Sequence, residues 1–187
     1  WLIIPEQVQQ KETPMKPNTV GCVGGNDRHA GQFSPYAALD TGLVQGALIL
    51  TLDGEIPVEF LSVGDRVITR DSGFAKIMHI QRSTRKVRRI ALAAGSLGHT
   101  RPERDAQLAG DQMVLIRDWR ARALFNSERA LVAARALVDD EFITDLGEEE
   151  TTLIQIFCNG PHIIYADGLE LGTADAARAR GAVLHAA

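Results

Sequence analysis

Between Gly46 and Gly73 the chain alternates short apolar runs with glycine-centred turns. Ala47–Leu52, Val58–Leu61 and Arg66–Thr69 are separated by Asp53-Gly54 and Val63-Gly64-Asp65 and followed by Asp71-Ser72-Gly73. Asp-Gly between apolar runs signals a hairpin, because glycine takes positive φ without a steric penalty. Runs this short, rich in β-branched and large apolar residues, read as consecutive strands. The same punctuation predicts strands over Ala75–Ile80, Val87–Leu92, Gln112–Ile116, Thr152–Phe157 and His162–Tyr165. Two stretches favour helix instead: a short turn over Trp119–Phe125, and Ala130–Leu137 through its alanines and leucines. The pattern therefore predicts an all-β domain over 41–172 with one or two short helices. An irregular lead-in over 1–40 precedes it, where Pro5, Pro14 and Pro17 block regular structure. A helix-prone tail over 173–187 follows, with Thr173 or Asp175 available as its cap.

Composition narrows the function classes. The chain has 187 residues, 45% of them hydrophobic, which suits one core-forming domain with extensions. Twenty basic against 24 acidic residues give a net charge of −4, so nothing draws the whole chain to nucleic acid or a membrane surface. No apolar run reaches the ~18–20 residues of a membrane span. The opening Trp1-Leu2-Ile3-Ile4-Pro5 lacks a signal-peptide pattern, which leaves cytoplasmic and secreted settings both open. The basic run Arg82–Arg89 contains no aromatic residue for base stacking and reads as a solvated hairpin or loop. Asp145 and Glu148–Glu150 read as a solvated acidic connection. Cys22 and Cys158 allow one disulfide, but two free thiols are the simpler expectation. The five histidines show no metal-ligand spacing, and Gly21–Asp27 is not followed by the Lys-Ser or Lys-Thr of a phosphate loop, so neither metal nor cofactor is expected. A monomer is expected, with a protein as the partner class left open.

Gly46–Gly54, Pro57–Leu61 and Gly64–Asp71, taken with their spacing, resemble the first block of the Hint module, the fold shared by hedgehog autoprocessing domains and inteins. Within it they are similar to a bacterial Hint-type subgroup. Ala94–Gly98 with Arg101–Asp105, then Val132–Val138, then Ile163–Gly168 match later blocks in the same order. The resemblance covers roughly residues 42–170 and implies a Hint fold, a horseshoe-like arrangement of short strands.

It also implies where self-processing chemistry would sit. In an active module a Cys or Ser attacks the preceding carbonyl, converting an amide to a thioester or ester. One histidine acts on the scissile amide, and a second near the C-terminal strand assists the later step. Counting back from Gly46 puts the nucleophile position at Gly42, which has no side chain to attack with. The first histidine position falls on Gln112, which cannot shuttle a proton near neutral pH. The second falls on Pro161, with His162 one place late, and a one-residue step in a strand reverses the face. Three degenerate positions imply a module without autoproteolysis or splicing, retained for binding or structure. The alternative is active self-processing with shifted residues: Thr41 or Cys158 as nucleophile and His162 as acid/base.

Overall fold

The computed structural model describes residues 41–98 and 100–175. The lead-in over 1–40, Cys22, His99 and the tail beyond Asp175 lie outside the described residues. Strands dominate: β1 (Leu43–Val44), β2 (Leu48–Thr51), β3 (Gly54–Pro57), β4 (Arg66–Thr69), β5 (Gly73–Lys76), β6 (His79–Leu92), β7 (Ala106–Ala109), β8 (Met113–Ile116), β9 (Ala130–Ala133), β10 (Ile143–Phe157), β11 (Ile163–Ala166) and β12 (Leu169–Gly172). A single α-helix, α1 (Trp119–Phe125), and short 3-10 turns at Val58–Phe60 and Ala134–Leu137 interrupt them among the described residues.

The strands form two sheets, one ordered β1-β10-β6-β7 and the other β3-β2-β4-β11-β12-β8-β9, with β5 paired to β4. Every pairing is antiparallel. The fold is all-β, as the turn spacing predicts.

Local chemistry explains the elements. The β2–β3 hairpin turns at Leu52-Asp53, one residue before the Asp-Gly pair, with Thr51 opposite Gly54. The Thr51 hydroxyl donates to the Gly54 carbonyl at 2.7 Å and accepts from the Asp53 N–H at 3.1 Å, which locks the loop. Gly54 sits at φ +106°, open only to glycine at low cost. Helix α1 starts on Asp118, whose carboxylate accepts the Arg120 N–H, and stops at Asn126 in the left-handed region.

Four sequence expectations are corrected. Val58–Leu61 is not a strand, because Pro57 ends β3 and the chain closes a 3-10 turn at once. Ala130–Leu137 is not a helix: four residues add β9 to β8, and only the remainder turns. Pairing has overridden the helix propensity of alanine there. Arg82–Arg89 and Asp145–Glu150 are not loops but facing parts of β6 and β10, with Arg88 opposite Glu148 and Lys86 opposite Glu150. Opposite charges across the ladder favour this register.

The principal core joins both sheets through Ile49, Val67, Ile77, Ile90, Val114, Ile154, Ile164 and Leu171, each 1% exposed or less. A second cluster of Val44, Val87, Ala109 and Leu153 lies on the other face of the four-stranded sheet. Ile154 pairs with Leu43 on one side and Arg82 on the other, so it anchors both neighbours of β10. Ile154→Ala is expected to lose about 2–5 kcal/mol of stability, read as a lower urea midpoint with an unchanged slope.

Candidate functional site

Gly42 immediately precedes β1, and the pairing of Leu43 with Ile154 and Val44 with Leu153 seats it on β10. Its φ is +136°. A Cβ built there would lie 3.2 Å from both Gln155 Cγ and Leu153 Cβ and 3.5 Å from the Ile154 carbonyl. Backbone conformation and space thus both favour glycine at position 42.

Gln112 reaches the same point from another element. The Gly110-Asp111-Gln112 turn between β7 and β8 is closed by a Gln112 N–H to Ala109 carbonyl bond of 2.9 Å. The side chain is 3% exposed. Its Oε1 accepts the Gly42 N–H at 3.1 Å, and its Nε2 donates to the Gly172 carbonyl at 2.9 Å and the Met113 carbonyl at 3.3 Å. A buried amide is satisfied on both ends.

The other side of the Thr41–Gly42 peptide belongs to Gln155, a residue the sequence reading passed over. Gln155 Nε2 donates to the Thr41 carbonyl and to the Thr41 hydroxyl, both at 3.0 Å. One peptide bond is therefore gripped at its carbonyl by one glutamine and at its N–H by another. The donor on the carbonyl would polarise it, as an oxyanion-stabilising group does. The acceptor on the N–H has the opposite tendency for cleavage. It supports the protonated, delocalised amide nitrogen and offers no proton to a leaving amine. The space beside this peptide, lined by Thr41, Gly42, Gln112, Gln155 and Thr173 among others, is about 10 Å³. That is about the size needed for one water.

Thr41, Gly42 and Gln112 are thus brought together; Cys158, Pro161 and His162 do not line that space. Thr41 is 5% exposed and lies on the acyl side of the Thr41–Gly42 bond. As a nucleophile on the preceding carbonyl, Thr41 would act at the bond between residues 40 and 41, not at the Thr41–Gly42 peptide. Pro161 is exposed in the loop between β10 and β11. His162 Nδ1 faces Asp71 Oδ2 at 2.5 Å and Ser72 Oγ at 3.3 Å. Its N–H donates to Thr173 Oγ1 at 3.1 Å, so Thr173 stands between the His162 backbone and the Gly42 cavity. Burial pushes the Asp71 carboxyl upward, but the Ile163 N–H and the His162 ring outweigh it and hold the group below the ordinary value of 3.8. Neither Asp71 nor Thr173 carried a catalytic signal in sequence, since each sits in a turn-forming context.

Cys158 directly follows β10 and forms no disulfide. Its backbone N–H donates to Asp175 Oδ2 at 3.0 Å. Burial, then the charges of Asp175 and Asp71, push the thiol up to about 11. A thiol in that environment is a protonated, small apolar group rather than a nucleophile. No group of three or more His, Cys, Asp or Glu side chains is arranged to hold a metal ion among the described residues.

The chain belongs to the Hint domain family, whose model matches residues 41–176, starting at the gripped peptide. It is similar to the bacterial intein-like domain from Clostridium thermocellum, with 14% identity and a TM-score of 0.48 over 71% of this chain and 98% of that one. It is similar also to a DnaB intein from Synechocystis sp., with 16% identity and a TM-score of 0.49 over 71% of this chain and 99% of that one. A DnaX mini intein from Spirulina platensis aligns with 14% identity and a TM-score of 0.45 over 70% of this chain and 98% of that one. No curated protein matches the chain.

Two outcomes check this site. Gly42→Cys is expected to cost about 1–3 kcal/mol, since it forces a side chain into a positive φ and against Gln155 and Leu153; urea unfolding measures it. Alkylation of Cys158 by iodoacetamide should be slow at pH 8, where about one thiol in a thousand is ionised, and rise steeply towards pH 11. Peptide mapping separates its labelling from that of Cys22.

Proposed function

We propose that this Hint module neither cleaves nor splices itself and is retained as a protein-binding or structural module. The observation that carries the reading is the double grip on the Thr41–Gly42 peptide, combined with a glycine whose side-chain space is already filled. Self-processing needs a nucleophile on the residue after the scissile carbonyl, a proton for the departing nitrogen, and freedom for that amide to twist. Gly42 supplies no nucleophile. Gln112 holds the N–H and gives up no proton. The bonds from Gln112 and Gln155 resist twisting of the amide plane that joins residues 41 and 42. Loss of one acid–base group typically removes about two to four orders of magnitude in rate. The residues that stand in for a shifted active site point elsewhere, His162 to Asp71 and Cys158 into an apolar, acidic surrounding.

In this reading the partner is a protein rather than nucleic acid or a membrane, and no cofactor takes part. The basic residues of β6 support it, because they face the acidic half of β10 instead of forming an open phosphate-binding stripe. The test is intact mass of the purified full chain, kept for days at neutral pH with and without dithiothreitol or hydroxylamine. One unchanged mass is expected in every condition. A complementary pair of fragments cut at the Asp40–Thr41 or the Thr41–Gly42 bond would establish the alternative, self-processing through shifted residues.

A further inference from the structure

A second polar centre lies in the eight-stranded sheet, and the self-processing chemistry makes no use of it. Glu170 on β12 is 3% exposed and receives three arginines. Its Oε1 accepts from Arg70 at 2.6 Å and Arg117 at 2.9 Å, and its Oε2 from Arg101 at 3.4 Å. One carboxylate among three guanidinium groups leaves an excess of two positive charges. Each guanidinium has five N–H donors, and Glu170 takes only one from each. These four side chains line a cavity of about 480 Å³. That lies within the ~300–1,000 Å³ range of small-molecule sites.

The rest of the wall has the opposite sign. Asp167, Glu55 and Glu103 line it together with the ring of Tyr165 and the apolar Leu48 and Leu50. Asp167 feels the charges of Arg104 and Glu55, and Glu103 packs on Gly168. Arg104 pairs with Glu55 at 3.4 Å, while Glu103 has no ion-pair partner among the described residues. A polyanion would gain from the arginines but be repelled by these carboxylates. A ligand with one anionic and one cationic end satisfies both.

We propose that this cavity binds a small zwitterion, its carboxylate on the Arg70, Arg101 and Arg117 cluster and its ammonium on the Glu55, Glu103 and Asp167 wall. The inference goes beyond the reading of the module as a protein-binding or structural domain and adds a small-molecule ligand at a separate place. It does not depend on whether the Thr41–Gly42 bond is cleaved, which the mass measurement decides separately.

Amide-resolved NMR titration of the full chain tests it, using γ-aminobutyrate and ε-aminohexanoate as probes of two lengths, with acetate, ethylammonium and citrate at matched ionic strength. The expected result is saturable shifts around the cavity for an ω-amino acid, with affinity about tenfold tighter than acetate or ethylammonium. Arg117→Ala should weaken the zwitterion and acetate alike. Glu103→Gln, at an exposed position outside the buried cluster, should weaken the zwitterion about threefold and leave acetate unchanged. Non-saturable shifts for both ω-amino acids, affinity no better than acetate, or tighter binding of citrate would each overturn the proposal. So would a Glu103→Gln variant that binds the zwitterion as well as the parent chain.

Discussion

The antiparallel ladder of β6 with β10 is the constraint on which the remaining geometry hangs. Fourteen residue pairs run from Ile143–Leu92 to Phe157–His79, with one register shift between Asp145 and Gly147. A period-two ladder assigns every side chain to a face, so its register cannot slip by one without turning core residues outward. The outer edge of β10 carries β1, which delivers Gly42. The outer edge of β6 carries β7, whose exit turn delivers Gln112. Gln155 belongs to β10 itself. The three residues around the Thr41–Gly42 peptide therefore hold their positions because one pairing register is fixed, although 113 positions separate the first from the last.

That register is specified by two different forces along its length. Near Leu153–Phe157 buried apolar side chains decide it: Leu153, Ile154 and Ile156 are 2% exposed or less. Near Glu148–Glu150 the side chains of β10 are exposed, and opposite charge adds to the burial of Val87 on β6. Arg88 pairs with Asp145 at 3.5 Å and Arg89 with Glu149 at 3.2 Å. Such exposed pairs are each worth no more than about 1 kcal/mol. Their contribution is to draw together two strands of opposite sign, since along this stretch β6 carries only basic and β10 only acidic charges. The net acidic chain hides a basic strand whose charge is already answered.

Much of this was legible in residue order, for a physical reason. The β2–β3 hairpin is a local structure, and its signals lie within a few positions of one another. The spacing of the family blocks singled out Gly42 and Gln112, and a 3.1 Å bond joins the two. Gln155 was not, because a lone polar residue in Leu153–Phe157 looks like the ordinary solvent face of a strand. Only the arrival of β1 beside it makes that face a site. Ala130–Leu137 misled for a related reason. Its alanine and leucine content reports intrinsic preference, while β8 supplies a free edge at which half of it pairs. The arginine cluster was equally invisible, since Arg70, Arg101, Arg117 and Glu170 come from four separated segments.

Strand β12 links two buried polar clusters of the scaffold. All four of its residues are buried, and it joins β11 to β8 in the middle of the larger sheet. Gly172 at its end accepts from Gln112, while Glu170, two residues earlier, gathers the three arginines. A short buried strand thus ties the side chain that holds the Thr41–Gly42 peptide to a charged cluster in the same sheet. Removing Glu170 would leave three cations facing one another, and removing Gln112 would leave buried backbone groups at Gly42 and Gly172 unpaired. Groups that are costly to remove hold the scaffold in place whatever becomes of catalysis. A histidine at position 112 would offer one donor and one acceptor on a rigid ring, whereas the glutamine amide reaches Gly42 and Gly172 at once. Gln112 is thus a cross-strand tie that joins Gly42 to Gly172.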